Sequence, residues 1–142
     1  MEIYYLYIRK EKIKNCQQKT MLKIFIVDDD EDVRRLYERL LNINSFEILP
    51  SAKDGEEAIV KFNQFKKKPD IILLDYLMPG LNGIETAKTI LNLAPESNII
   101  MISSDNSIKK TALEIGIKRF LSKVVSLEKI IQTIKEVLIE KK

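Results

Sequence analysis

The sequence predicts an α/β fold, a sandwich of helices around a parallel β-sheet, and three observations lead there. From Leu22 onward, five β-like apolar runs alternate with five segments of helical periodicity. Two of those runs, DIILLD at 70–75 and NIIMIS at 98–103, are almost wholly apolar, as parallel strands covered on both faces must be. Between the runs the apolar residues recur at helical spacing, as in Val33, Leu36, Tyr37, Leu40 and Leu41, which a layer of helices on the sheet requires.

Residues 1–20 precede the pattern. They are expected to be an N-terminal extension, disordered or a start-site artefact; the alternative is that their tyrosines dock on the domain or on a partner. The domain itself reads from Met21 to Lys142, over 21–142. Its first strand, 22–27 (LKIFIV), runs straight into the acids Asp28 to Asp32. Asp30, Glu31 and Asp32 open the first helix, where negative charge meets the positive end of the helix dipole. Val33, Leu36, Tyr37, Leu40 and Leu41 predict its inward face. A second strand covers 46–49 (FEIL), and Ile59, Phe62 and Phe65 mark the helix after it. The third strand, 70–75, is followed by a helix facing inward through Ile84, Ala87, Leu91 and Ala94. After the fourth strand, 98–103, the periodicity is weakest: Ile108, Ala112 and Ile115 would face inward from a helix near 106–115, which Gly116 stops. The fifth strand is 118–122 (KRFLS). A long last helix, capped by Ser126, turns Leu127, Ile130, Ile131, Ile134, Val137 and Leu138 inward.

Bulk properties narrow the function. A chain of 142 residues, 45% hydrophobic, makes one domain with a real core. The single cysteine, Cys16, excludes an internal disulfide and suits a reducing compartment, so the expected location is cytoplasmic. The absence of histidine excludes His-based catalysis, His-ligated metals and a phosphohistidine on this chain. Of 24 basic and 21 acidic residues, five and two lie in the extension, which leaves 19 of each in the domain and no net positive field for nucleic acid. No apolar run approaches the roughly 20 residues of a membrane span, so no membrane insertion is expected.

The strand ends carry the chemistry. Asp28 and Asp29 follow strand 1, Asp75 ends strand 3, Ser103 and Ser104 end strand 4, and Lys123 follows strand 5. In a parallel sheet these side chains converge. Three carboxylates cannot all stay ionised at close quarters without a cation. A hard divalent ion bound through oxygen resolves the conflict, and Mg2+ suits an open site that keeps its waters.

The segments IFIVDDDEDVRRL, DIILLDYLMPGLNGIE, NIIMISS and KRFLSK together resemble the CheY-like receiver domain of two-component response regulators, over about 22–140. The resemblance implies a flavodoxin-like, doubly wound (βα)5 sandwich with five parallel strands in the order 2-1-3-4-5. It also implies roles. Asp75 matches the aspartate that accepts a phosphoryl group. Asp28 and Asp29 match the acidic pair that holds Mg2+, with Asp75 and the backbone carbonyl of Leu77 as further ligands. Ser103 matches the hydroxyl residue that hydrogen-bonds the phosphoryl oxygens, Lys123 the lysine that pairs with them, and Phe120 the aromatic that swings inward as the domain switches.

The partner implied is a sensor histidine kinase or a histidine phosphotransfer protein, with a further protein target downstream. The expected function is a stand-alone receiver, since the chain ends just after the last helix. It would signal through the surface of helix 4, strand 5 and helix 5, or relay the phosphoryl group. It is not expected to be an enzyme beyond self-phosphorylation from small donors and autodephosphorylation. Three departures from the family pattern stand out. Val124 replaces the usual proline, so the following loop should be trans or rearranged, because a non-proline cis bond costs roughly 2.5–4 kcal/mol. The stretch from Ser103 to Lys123 is short, which predicts a short or irregular helix 4. Leu77 offers no polar side chain.

Competing readings are a pseudo-receiver that is never phosphorylated and a phosphatase with an aspartyl nucleophile. For the latter, Asp28 and Asp30 form a D-x-D pair, but Asp32 stands where Thr or Val belongs. A calcium loop begun at Asp28 fails at Val33 and Arg39, which stand where Gly and Glu are needed. A flavodoxin-type phosphate loop fails because five acids would repel the phosphate.

Overall fold

The alternating pattern closes into one five-stranded sheet. The computed structural model describes residues 21–140 and Ile3. The elements are β1 (Lys23–Val27), α1 (Glu31–Ile43), β2 (Glu47–Ile48), α2 (Gly55–Gln64), β3 (Ile71–Asp75), α3 (Gly83–Leu93), β4 (Ile99–Ser103), a 3-10 turn (Asn106–Ile108), α4 (Lys109–Glu114), β5 (Arg119–Ser122) and α5 (Leu127–Glu140). All neighbouring strands pair in parallel, in the order β2-β1-β3-β4-β5. This is the expected 2-1-3-4-5 arrangement. The expectation for the extension over 1–20 falls, Ile3 apart, outside the described residues.

Why β1, β3 and β4 are so apolar is now visible. Alternate residues of a strand point to opposite faces, and both faces are covered. Ile24, Ile26, Ile71, Leu73, Ile100, Ile102 and Leu121 pack with Tyr37 and Leu41 of α1 and with Ile130, Ile134 and Leu138 of α5. Phe25, Val27, Ile72, Leu74, Ile99 and Met101 pack on the other side with Ala58 and Phe62 of α2, Ile84, Ala87 and Ile90 of α3, and Ala112 of α4.

Two expected core residues face out. Leu36 is 47% exposed and Leu127 is 37% exposed. The buried stripe of α1 runs through Tyr37 and Leu41, and Leu36 lies about 100° round the helix from Tyr37, beyond the contact. Leu127 opens α5, a turn ahead of its first buried residue, Ile130.

Local signals end the helices where they should. The Asp30 side chain accepts hydrogen bonds from the amides of Asp32 (2.9 Å) and Val33 (3.3 Å), capping α1. Ser126 accepts from the Lys129 amide at 3.2 Å, ahead of α5. α4 is short, as expected: it grows from the 3-10 turn with no side-chain cap and buries Ala112 alone. Gly116, at φ +107°, then turns the chain into β5. No peptide bond among the described residues is cis, and Val124 stands 90% exposed after Lys123.

Candidate functional site

The strand order brings the predicted residues together. β1 and β3 are neighbours, with Val27 opposite Leu74, so Asp28 and Asp75 come one after the other at the same edge. β4 lies beside β3 and β5 beside β4, with Ser103 opposite Ser122, so Lys123 emerges next to Ser103. The Lys123 amide donates to the Ser103 carbonyl at 3.0 Å.

One carboxylate oxygen each from Asp28, Asp29 and Asp75 lie within 4.8 Å of one another. Asp28 and Asp75 are buried, and Asp29 reaches the cluster from the solvent side. Lys123 Nζ stands 3.3 Å from Asp28 Oδ2 and 3.3 Å from Asp75 Oδ1. Asp28 is tied at every polar atom. Its amide donates to the Ala52 carbonyl (3.1 Å), Oδ1 accepts from the Asp30 amide (2.9 Å), Oδ2 faces Lys123, and its carbonyl accepts from Arg34 Nη1 (2.7 Å).

The electrostatics are those of a site with too much negative charge. Burial, and then the charge of Asp28, push the Asp75 carboxyl up to about 7, although Lys123 pulls the other way. Burial also raises Asp28, against the Asp30 amide and Lys123. For Lys123, burial favours the neutral amine, but Asp28 and Asp75 outweigh it and its pKa rises. One ammonium, in contact with Asp28 and Asp75, thus stands beside a cluster of three carboxylates. The donor set is all hard oxygen, crowded, buried on one side and open on the other, and it fits a Mg2+ ion that keeps waters.

Ser103 is fully buried at the end of β4. Its hydroxyl oxygen accepts from the Asp105 amide at 3.0 Å, which leaves the hydroxyl hydrogen free to donate. Ser104 is exposed and takes no part in the buried cluster. Phe120 is half-buried and packs on the α2–α4 side of the sheet, paired with Met101 across the β4–β5 ladder. The Leu77 side chain is 55% exposed.

Sequence reasoning missed two contributors. A Cβ on Gly83 would lie 2.4 Å from the Asp75 carbonyl oxygen and 2.7 Å from Tyr76 Cα. Only glycine lets the start of α3 approach the backbone of Asp75 this closely, and the Gly83 amide donates to the Tyr76 carbonyl at 2.8 Å. The signal was present: Gly83 directly follows Asn82, whose side chain forms a capping box with Glu85. The other is Arg34, whose bond to Asp28 nothing in its spacing announces.

Comparison with known proteins agrees with this geometry. Residues 24–135 match the family model described as the response regulator receiver domain. The chemotaxis protein CheY of Listeria monocytogenes is 30% identical over 118 residues, covering 82% of this chain and 98% of that protein. The transcriptional regulatory protein LnrK of Bacillus subtilis is 32% identical over 117 residues, covering 80% of this chain but 52% of that protein. Among solved structures, a chain of the CheX-CheY-BeF3-Mg+2 complex of Borrelia burgdorferi superposes with a TM-score of 0.78 at 30% identity, covering 82% of this chain and 88% of that one.

Proposed function

The chain belongs to the response regulator receiver domain family, and from that premise we propose that it is a phosphorylation switch whose acceptor is Asp75. The observation that carries the reading is the position of Lys123 Nζ, 3.3 Å from both Asp28 and Asp75, beside the three-carboxylate cluster. A buried carboxylate flanked by acids on one side and a lysine on the other suits phosphoryl transfer, which depends on positioning and charge neutralisation.

In this reading an Asp75 oxygen attacks the phosphorus of a phosphohistidine on a partner protein, a sensor histidine kinase or a phosphotransfer protein. The new O–P bond forms as the N–P bond breaks, and the electron pair of that bond stays on the departing imidazole. Lys123 pairs with the phosphoryl oxygens, and the Ser103 hydroxyl donates its free hydrogen to one of them. Asp28, Asp29, Asp75 and the carbonyl of Leu77 would hold Mg2+, which when bound neutralises charge on the transferring group. The donor is another protein because this chain has no histidine. Drawing Ser103 towards the phosphoryl group opens space for the Phe120 ring, and the face of α4, β5 and α5 changes with it. A cytoplasmic location, action by docking or relay, and no turnover chemistry beyond gain and loss of its own phosphoryl group belong to the same reading. No helix among the described residues is long and apolar enough to cross a membrane.

Intact mass after incubation with acetyl phosphate and Mg2+ tests it. The wild-type chain is expected to gain one phosphoryl group and Asp75→Ala none. Equal labelling of both would remove Asp75 from its role, and an unlabelled wild type would favour the pseudo-receiver.

A further inference from the structure

We propose that Arg34 is a positioning residue for the metal site: by holding the peptide between Asp28 and Asp29, it fixes where the Asp29 carboxylate stands. The inference rests on the reading of Asp28, Asp29 and Asp75 as Mg2+ ligands.

The contrast within α1 motivates it. Arg34 and Arg35 are adjacent, and both lie within seven residues of the five acids Asp28 to Asp32. Arg35 does what an exposed arginine does and pairs with Glu31 one turn back, at 2.8 Å. Arg34 is half-buried and forms no ion pair among the described residues. Its Nη1 reaches back six residues to the Asp28 carbonyl at 2.7 Å. A guanidinium that passes over neighbouring carboxylates for a backbone carbonyl is committed to that peptide by a directed hydrogen bond, on top of whatever attraction the acids exert on its charge.

That carbonyl belongs to the peptide plane that ends at Asp29 Cα. Fixing its oxygen fixes the plane, and with it the direction in which the chain enters Asp29. Asp28 has other anchors at its amide and both carboxylate oxygens. Asp29 is the exposed member of the cluster. The Arg34 bond therefore acts chiefly on the acid that most needs placing.

The sign of the effect separates this role from plain electrostatics. Arg34 is a cation beside a cation site, so by charge alone its removal would tighten Mg2+ binding. Positioning predicts the opposite, because loss of a group that orients a ligand typically weakens metal affinity by about 10-fold or more. Calorimetric titration of the full chain with MgCl2 measures it. Arg34→Ala is expected to bind Mg2+ about 10-fold more weakly than wild type. Arg35→Ala, which removes the same charge from the same helix without touching the peptide, should bind as well as wild type or better. Arg34→Met keeps the aliphatic stem and carries the same expectation if the alanine variant does not fold. Wild-type or tighter affinity in the Arg34 variants would overturn the role of Arg34 while leaving the site intact. A wild-type chain that binds no Mg2+ would overturn the metal reading itself, and this inference with it.

Discussion

β5 is flanked by two helices built very differently. On one face α5 lays down 14 residues and buries Ile130, Ile131, Ile134, Val137 and Leu138; on the other α4 has six residues and buries Ala112. Burying a large aliphatic side chain stabilises by about 1.5–3 kcal/mol, so the anchoring of the two helices differs by several such increments. The same strand shows both regimes. Leu121 packs into the α1–α5 layer, while Phe120 points the other way and is half-buried. Local opening should follow this difference, with α5 moving only as the whole domain unfolds and α4 at lower cost. In the proposed switch, a signal starting at Ser103 and Lys123, at the ends of β4 and β5, would meet little resistance on the α4 side.

The largest expected effect attacks the comparison directly. Ile134→Ala, at the centre of the α5 face, should lose about 2–5 kcal/mol in urea unfolding. Leu113→Ala, on α4 and 43% exposed, should stay within about 0.5 kcal/mol of wild type. Losses of similar size would show that α4 is as firmly held as α5.

Next in size is the charge at Asp75. Its carboxyl is raised from 3.8 to about 7 in the folded protein, so between those values the native state holds a proton that the unfolded chain releases. Stability therefore falls as pH rises from about 4 through about 7, and the penalty is fully present above that. Without metal, Asp75→Asn should stabilise the domain by roughly 1–3 kcal/mol near pH 8 and by nothing near pH 3. Hydrogen exchange sharpens the comparison here: α5 amides should slow with the global gain, and α4 amides should not. A destabilised Asp75→Asn at pH 8 would contradict the raised pKa.

A smaller effect concerns the signal itself. Beryllofluoride with Mg2+, a mimic of the phosphoryl group, should shift amides from Asp75 through Ser103 to Phe120, with larger changes in α4 than in the middle of α5. Such a ligand moves the equilibrium only through its different affinity for the two states. Shifts confined to the metal site would mark a phosphoryl carrier instead of a conformational switch. Smallest is the effect of the extension. A chain beginning at Met21 should melt within about 1 °C of the full chain, below the shift of about 2–8 °C that 1 kcal/mol produces in domains of this size range; a larger drop would show that the tyrosines dock.

Much of this protein is written in local pattern. Apolar runs with period two or none, and helices with period 3.6, established five strands and five helices. The short stretch from Ser103 to Lys123, set against the family pattern, announced the short α4, and Asp30 and Ser126 marked helix starts through bonds to amides two or three residues away. The acids and the lysine at the strand ends could be named as candidates because parallel strands all finish at one edge. What pattern could not decide was who stands opposite whom. Asp28 and Lys123 meet across 95 residues only because β3 and β4 fill the sheet between β1 and β5. Leu36 was predicted inward on periodicity and lies outward, since an apolar side chain is buried only where another element covers it. The bond from Arg34 to a carbonyl, and the glycine that lets α3 approach Asp75, rest on distances of a few ångströms between separate segments. Periodicity reports the face a residue occupies on its own element, and contact depends on how two elements pack. That is why the candidate residues were legible in the sequence, and their geometry appeared only in the tertiary structure.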